Sequence, residues 1–237
     1  MNLQQILSHV RRACEDYRMI PPGEKIAVAV SGGKDSLTLL AALAAMRRFY
    51  PNAYTLEAIT VDLGFSEFDT AGIEAYCAEI SVPYTVLRTD IGRVIFEERR
   101  EPNPCSLCAK MRKGALNAEA LRRGVTRIAY GHNRDDIIHT FFMSLFYEGR
   151  LHAPEPVTFL DRTGLYAIRP LIYVPEKDVI GFTKRAGLPV VKSPCPADGN
   201  TRREEMRRFT AEMRGKYQSF DAKMFTAVSK LYIANQL

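Results

Sequence analysis

Residues 25–36, KIAVAVSGGKDS, decide the fold. Ile26 to Val30 are apolar throughout and alternate β-branched with small side chains. Such a run reads as a short strand buried on both faces, the habit of a parallel sheet. Gly32 and Gly33 then allow a sharp turn, and LTLLAALAAMRRF (37–49) continues as a helix closed by Pro51. The cycle repeats downstream. TLEAITVDL (55–63) predicts a strand and TAGIEAYCAEI (70–80) a helix. PYTVLRTD (83–90) predicts a strand followed by a helix through VIFEERR (94–100), and RIAYGH (127–132) a strand before the helix RDDIIHTFFMSLFYEG (134–149).

Upstream, Leu3, Ile6, Leu7 and Val10 fall at helical spacing between Asn2 and about Arg18, and Pro21, Pro22 and Gly23 stop that helix. Beyond about residue 190 the strand pattern ends. TRREEMRRFTAEMRGKY (201–217) and FDAKMFTAVSKLYIANQ (220–236) read as two terminal helices. The expected architecture is α/β, a Rossmann-like parallel sheet covered on both faces, with its strand C-termini on one edge. Its expected parts are an N-terminal helix (1–20), an α/β domain holding a C-x-x-C insert (21–190), and a C-terminal helical segment carrying a third cysteine (191–237).

Composition narrows the class. The 237 residues carry 33 basic and 27 acidic side chains, a net charge of +6, with 46% apolar residues. That balance is globular, and the basic surplus suits a polyanionic partner. The sequence shows no apolar run of membrane-spanning length and no signal-peptide core, and its five cysteines are an odd number. A cytoplasmic, reducing setting is expected, and no membrane partner.

SGGKDS (31–36) joins a buried strand to a helix. Glycines at 32 and 33 let backbone N–H groups approach an anion, and the helix start adds its positive end. Ser31 and Ser36 offer hydroxyls and Lys34 a point charge, while Asp35 lies at the helix start. This is a phosphate cradle, distinct from both the Walker A loop and the dinucleotide fingerprint.

Cys105 and Cys108 form a C-x-x-C pair just before a helix, and Cys195 sits in SPCPADGN (193–200). Cys14 and Cys77 fall on amphipathic helices and read as core. Three thiols suit an iron–sulfur cluster with one iron left open, or a redox pair plus a catalytic cysteine. A merely packed pair, or a zinc site completed by a histidine, is the plainer alternative. GHNRDD (131–136) follows the fourth strand. Gly131 and His132 would then stand near phosphate, and Asp135 and Asp136 would either hold Mg²⁺ or cap the helix.

SGGKDS resembles the signature of the PP-loop, or adenine-nucleotide alpha-hydrolase-like, ATPases. That resemblance implies cleavage of ATP between the α and β phosphates, with the adenosine near Val61 and Asp62. Together with CSLCAKMRKGAL (105–116), GHNRDDIIHTFFMSLFYEGRL (131–151) and SPCPADGNTRREEM (193–206), the chain is similar to the tRNA 2-thiocytidine synthetase family from about residue 20 to 215. Many members carry a second cysteine near the third one, where this chain reads SPCPADGN. The resemblance implies a [4Fe–4S] cluster on Cys105, Cys108 and Cys195, and a catalytic part for these cysteines and Asp135. It further implies ATP and Mg²⁺ as cofactors, tRNA as substrate, and a sulfur donor such as a cysteine desulfurase. A homodimer is a candidate assembly.

Arg202, Arg203, Arg207 and Arg208 lie broadly on one side of the first terminal helix, interleaved with Glu204 and Glu205. Such a run is ordinarily a solvated, ion-paired face. Beside the reaction centre it would hold tRNA phosphates, and Arg112, Lys113, Arg122 and Arg123 would extend that rim. The expected reaction is tRNA thiolation: the O2 of a pyrimidine, most simply cytidine, is adenylated and then replaced by sulfur. The alternatives are a PP-loop ligase of the lysidine synthetase type, which needs no cysteines, and a regulatory module that holds ATP without turnover.

Overall fold

The computed structural model describes residues 2–65, 68–101, 104–192, 194–196 and 202–234. Parts of two expected features, the third-cysteine motif at 193 and 197–201 and the tail of the last helix at 235–236, lie outside the described residues.

Four strands stand where the sequence places them: β1 (Glu24–Ala29), β2 (Tyr54–Asp62), β3 (Tyr84–Arg88) and β4 (Arg127–Ala129). Two more, β5 (Val157–Leu160) and β6 (Leu165–Ile168), form a hairpin whose turn closes with Gly164 at φ +72°. The sheet order is β3-β2-β1-β4-β6-β5, and only the β5–β6 pair is antiparallel. The chain thus moves outward from β1 to β3, then returns to lay β4 on the other side of β1. That reversal opens a crevice at the C-terminal ends of β1 and β4, where ligands of open α/β sheets bind. Val28 pairs with Ala129 of β4, so the segments leaving β1 and β4 start at nearly the same level, while β2 runs on to Asp62.

Helices α1 (Leu3–Asp16), α2 (Lys34–Met46), α3 (Ala71–Glu79), α4 (Ile91–Arg93), α5 (Pro104–Arg122), α6 (Arg134–Glu148), α7 (Glu176–Arg185), α8 (Arg202–Lys216) and α9 (Phe220–Ala234) complete the described chain. The expected helix over 94–100 is instead a π-turn, Val94–Glu98, continuing α4. Strand alternation divides the core. Ile26 and Val28 of β1 face one cluster, with Ile6 and Val10 of α1, Leu37 and Leu40 of α2, Met206 of α8 and Val228 of α9. Ala27, between them, faces the other, with Leu116 and Ala120 of α5. Both sheet faces are covered, as the apolar strands require. The N-terminal helix and the terminal pair are not appendages, because they fill the same core as α2. No described helix is long and apolar enough to cross a membrane.

Candidate functional site

The crevice at the switch point is a cleft of about 420 Å³. Ser31, Asp35 and Ser36 of the phosphate loop line it, with Val61 and Asp62 from the end of β2. Tyr130, Gly131 and His132 enter from the end of β4, Arg112 and Lys113 from α5, and Cys195 from the segment ahead of α8.

The loop folds as its sequence demands. Gly32 adopts φ +82°, a region costly for any residue with a Cβ, and Gly33 starts α2 with no side chain capping the helix. The Ser31 N–H donates to Ser36 Oγ at 3.1 Å, and Ser36 Oγ donates to the Gly33 carbonyl at 2.9 Å. The uncapped helix start keeps its positive end available to an anion. Gly131 matters for a different reason. A Cβ there would stand 2.9 Å from the Asp35 carbonyl carbon and the Ser36 nitrogen, so only glycine lets β4 press against the first turn of α2.

Lys34 departs from the expectation, since it is not among the residues lining the cleft. Its ammonium lies 2.7 Å from Asp35 Oδ2 and 2.9 Å from Glu176 Oε1. Burial disfavours the charge, but the two carboxylates more than restore it and raise the Lys34 pKa. Glu176 moves the opposite way. Burial pushes its carboxyl up, yet Lys34 and Arg207 hold it below the usual range. Asp35 is pushed up by burial, against the pull of Lys34 and of the Asn133 amide, which donates to its Oδ1 at 2.8 Å.

Asp135 and Asp136 do not line the cleft. Asp136 completes a capping box with Asn133 and accepts from Arg203 at 3.0 Å. Asp135 is buried, accepting from the Glu176 N–H at 2.7 Å and from the Arg214 guanidinium. The metal-facing geometry expected of this pair is replaced by capping and ion pairing. Among the described residues, the carboxylates that face the cleft are Asp35 and Asp62.

His132 lines the cleft beside Tyr130, their rings 5.9 Å apart. Burial, reinforced by Arg169 and Arg203, lowers its pKa to about 3, so the ring is a neutral hydrogen-bonding group. Among the described residues its Nδ1 and the Tyr130 hydroxyl have no partner.

Cys105 and Cys108 occupy the first turns of α5, inside the helix rather than just before it. Cys108 is half-buried. Burial raises its pKa, Arg112 one turn on lowers it, and the charges of Cys195 and Cys105 raise it further. Of the three cysteines only Cys195 lines the cleft, while Cys105 and Cys108 stand on α5 just ahead of its cleft-lining residues Ala109, Arg112 and Lys113. Their donor chemistry, three soft sulfurs, fits an iron–sulfur group. Among the described residues no three ligating side chains already stand together in metal-binding positions. Cys14 and Cys77 are buried in the core, as expected, with burial raising Cys77 to about 11.

Arg203 and Arg207 of α8 turn toward acids on neighbouring elements, while Arg202 and Arg208 are exposed. Arg203 pairs with Asp136, Arg207 with Glu176 at 3.2 Å, and Arg202 lies 4.5 Å over the Tyr147 ring. Arg203 and Arg207 flank the buried Met206 and Thr210, so the face that carries them is the packed one. Glu176, Tyr130 and Arg169 were not legible in the sequence, where each reads as an ordinary strand-end or helix residue.

Comparison with known proteins agrees with this geometry. A family model for the PP-loop domain matches residues 3–213. The tRNA-cytidine(32) 2-sulfurtransferase of Citrifermentans bemidjiense is 35% identical over 232 residues, spanning 96% of this chain and 91% of its own. The enzyme of the same name from Xanthomonas campestris pv. campestris is 38% identical over 214 residues, spanning 88% and 70%. The solved structure of the U34-tRNA thiolase NcsA from Methanococcus maripaludis, with its [4Fe-4S] cluster, superposes at a TM-score of 0.76. That match covers 97% of this chain and 80% of the other at 24% identity, and it speaks for the fold alone. With the phosphate loop and Cys195 lining one cleft, and Cys105 and Cys108 on the helix that supplies its Arg112 and Lys113, the chain belongs to the PP-loop family, in the branch of the tRNA-cytidine(32) 2-sulfurtransferases.

Proposed function

We propose that this protein is an ATP-dependent tRNA sulfurtransferase that thiolates C2 of a pyrimidine, most simply cytidine. The observation that carries the reading is that one cleft is lined both by the phosphate loop and by Cys195. A ligase using an amine nucleophile has no need of that sulfur, and a non-catalytic nucleotide holder has no need of the opposite wall of Arg112 and Lys113.

The loop N–H groups and the start of α2 receive the triphosphate. Asp35, held by Asn133 and Lys34, is the carboxylate best placed for the Mg²⁺ that accompanies ATP. The adenosine lies toward Val61 and Asp62. Attack of the pyrimidine O2 on the α-phosphorus forms an O–P bond as the bond to the β-phosphate breaks and pyrophosphate leaves. The base then carries AMP as its leaving group. A sulfur nucleophile on the Cys195 side attacks C2, and the C2–O bond breaks to release AMP. Cys105, Cys108 and Cys195 would hold the [4Fe–4S] cluster, which when bound offers an open iron for sulfide supplied by a donor such as a cysteine desulfurase.

Neutral His132 supplies a hydrogen bond without adding charge to a cleft that already holds cations. Arg112 and Lys113 meet tRNA phosphates beside the target base, which must leave its stack to enter. The test is mass spectrometry of tRNA nucleosides from cells with and without this protein. Loss of a 2-thiopyrimidine nucleoside is expected in its absence, and an unchanged nucleoside profile would overturn the reading.

A further inference from the structure

We propose that Glu176, at the start of α7, is a positioning residue that fixes α8, the helix following Cys195, against the phosphate loop. The inference rests on the thiolation reading above and names a residue which that reading does not use.

Two side-chain strings run from neighbouring residues of the loop to α8. The first is Lys34–Glu176–Arg207, with Lys34 at 2.9 Å and Arg207 at 3.2 Å on the same oxygen, Glu176 Oε1. The second is Asp35–Asn133–Asp136–Arg203. It is built from the 2.8 Å Asn133–Asp35 bond, the Asn133–Asp136 capping box and the 3.0 Å ion pair to Arg203. Arg203 and Arg207 are one helical turn apart, so the strings grip the same face of α8. The Glu176 backbone adds a third tie, since its N–H donates to Asp135 and Asp135 in turn accepts from Arg214 of α8.

Only the first string passes through a single carboxylate oxygen shared by two cations. These groups are partly buried, where such pairs are screened less than on an open surface. Removing the charge at Glu176 leaves Lys34 with Asp35 alone, and leaves Arg207 with Glu204 at 3.7 Å. The loop would keep its shape, while α8 would lose one of its holds. Nucleotide binding rests on the loop, whereas sulfur transfer needs the Cys195 side to stay in register with it. Glu176 therefore bears on the joining of the two half-reactions rather than on nucleotide binding.

The test is Glu176→Gln in the full chain, which keeps shape and removes charge. Amide exchange in α8 is expected to quicken about tenfold while that in α2 stays put. Affinity for a non-hydrolysable ATP analogue should remain within about threefold of wild type, with thiolated nucleoside per pyrophosphate released falling about tenfold. Arg207→Gln should act alike, and the double variant should be no worse than the worse single one, because both remove one contact. Unchanged α8 exchange, or additive effects in the double variant, would overturn the proposal. If Glu176→Gln yields no folded protein, Arg207→Gln carries the exchange measurement, where faster α8 exchange supports the proposal and unchanged exchange overturns it. A wild-type protein that thiolates nothing, but whose variants show the expected exchange pattern, would sink the thiolation reading and leave the role of Glu176 in place.

Discussion

The backbone N–H of Val191 donates a 3.0 Å hydrogen bond to the carbonyl of Gly32. A residue of the phosphate loop is thereby joined to the segment that reaches Cys195 four residues later. The positive φ of Gly32 matters here, because a Cβ at this position would stand 3.3 Å from the Val191 Cβ and from the Phe68 ring. The two halves of the cleft are thus fastened main chain to main chain, between residues 159 apart in sequence.

Val191→Pro deletes that donor and leaves the residues that line the cleft unchanged. Thiolation is expected to fall about tenfold, with nucleotide affinity within about threefold of wild type. Nucleoside mass spectrometry and analogue binding measure the two. Equal loss of both would mean that the bond serves the loop alone.

Gly131→Ala places a methyl 2.9 Å from the backbone of α2, which cannot yield as a flexible side chain would. A loss of about 1–3 kcal/mol in stability is expected, together with weaker nucleotide binding as the first turn of α2 shifts. Chemical denaturation and analogue titration check both, and a variant with wild-type values would show that β4 and α2 are not in this contact.

The positions of these glycines explain how far the sequence could be read. The β-branched run at 26–30, two glycines and a helix can scarcely be anything but strand, loop and helix, so the parallel sheet and the phosphate cradle were legible. The β5–β6 hairpin was not. Its two strands are four residues each, and the polar turn between them masks the alternation. Side-chain direction was harder still. Lys34 sits in a phosphate-loop motif yet faces Glu176, a residue 142 positions away that no local pattern reveals. The arginines of α8 carry a periodicity equally suited to solvent or to buried acids, and only the tertiary position of Asp136 and Glu176 chooses between them. Asn133 is a different case: the capping role is expected of Asp135 and Asp136 and not of Asn133, although Asn-x-x-Asp before an apolar run is a capping signal.

His132 gives a pH signature. Its pKa lies near 3 in the folded chain against an ordinary 6.5, because burial and then Arg169 and Arg203 disfavour the imidazolium. Below about pH 6.5 the unfolded chain takes up a proton at this ring and the folded chain does not. Stability therefore falls as the pH drops, by at most about 1.4 kcal/mol per unit, until about pH 3. His132→Gln does not titrate and should lose less stability than wild type between about pH 7 and about pH 5, by about 2 kcal/mol at most. Urea denaturation at the two pH values decides the matter, and equal acid losses would contradict a buried neutral ring.

Arg112 and Lys113 are the cations of the cleft wall opposite the loop. Replacing both with Ala should weaken tRNA binding and reduce the slope of log affinity against log salt by about 1–2, close to one unit per lost phosphate contact. Nucleotide affinity should change little. Filter binding across a salt series measures this, and an unchanged slope would move the tRNA face elsewhere on the molecule.

The most direct measurement is a single reaction of purified Cys195→Ala, loaded and assayed without oxygen, with tRNA, Mg-ATP and a sulfide source. It should follow pyrophosphate and thiolated nucleoside together. Pyrophosphate release within about threefold of wild type is expected with no thiolated product, because the loop that adenylates is complete without this sulfur. Thiolated nucleoside at the wild-type level would contradict a shared cleft in which Cys195 serves the second half of the reaction.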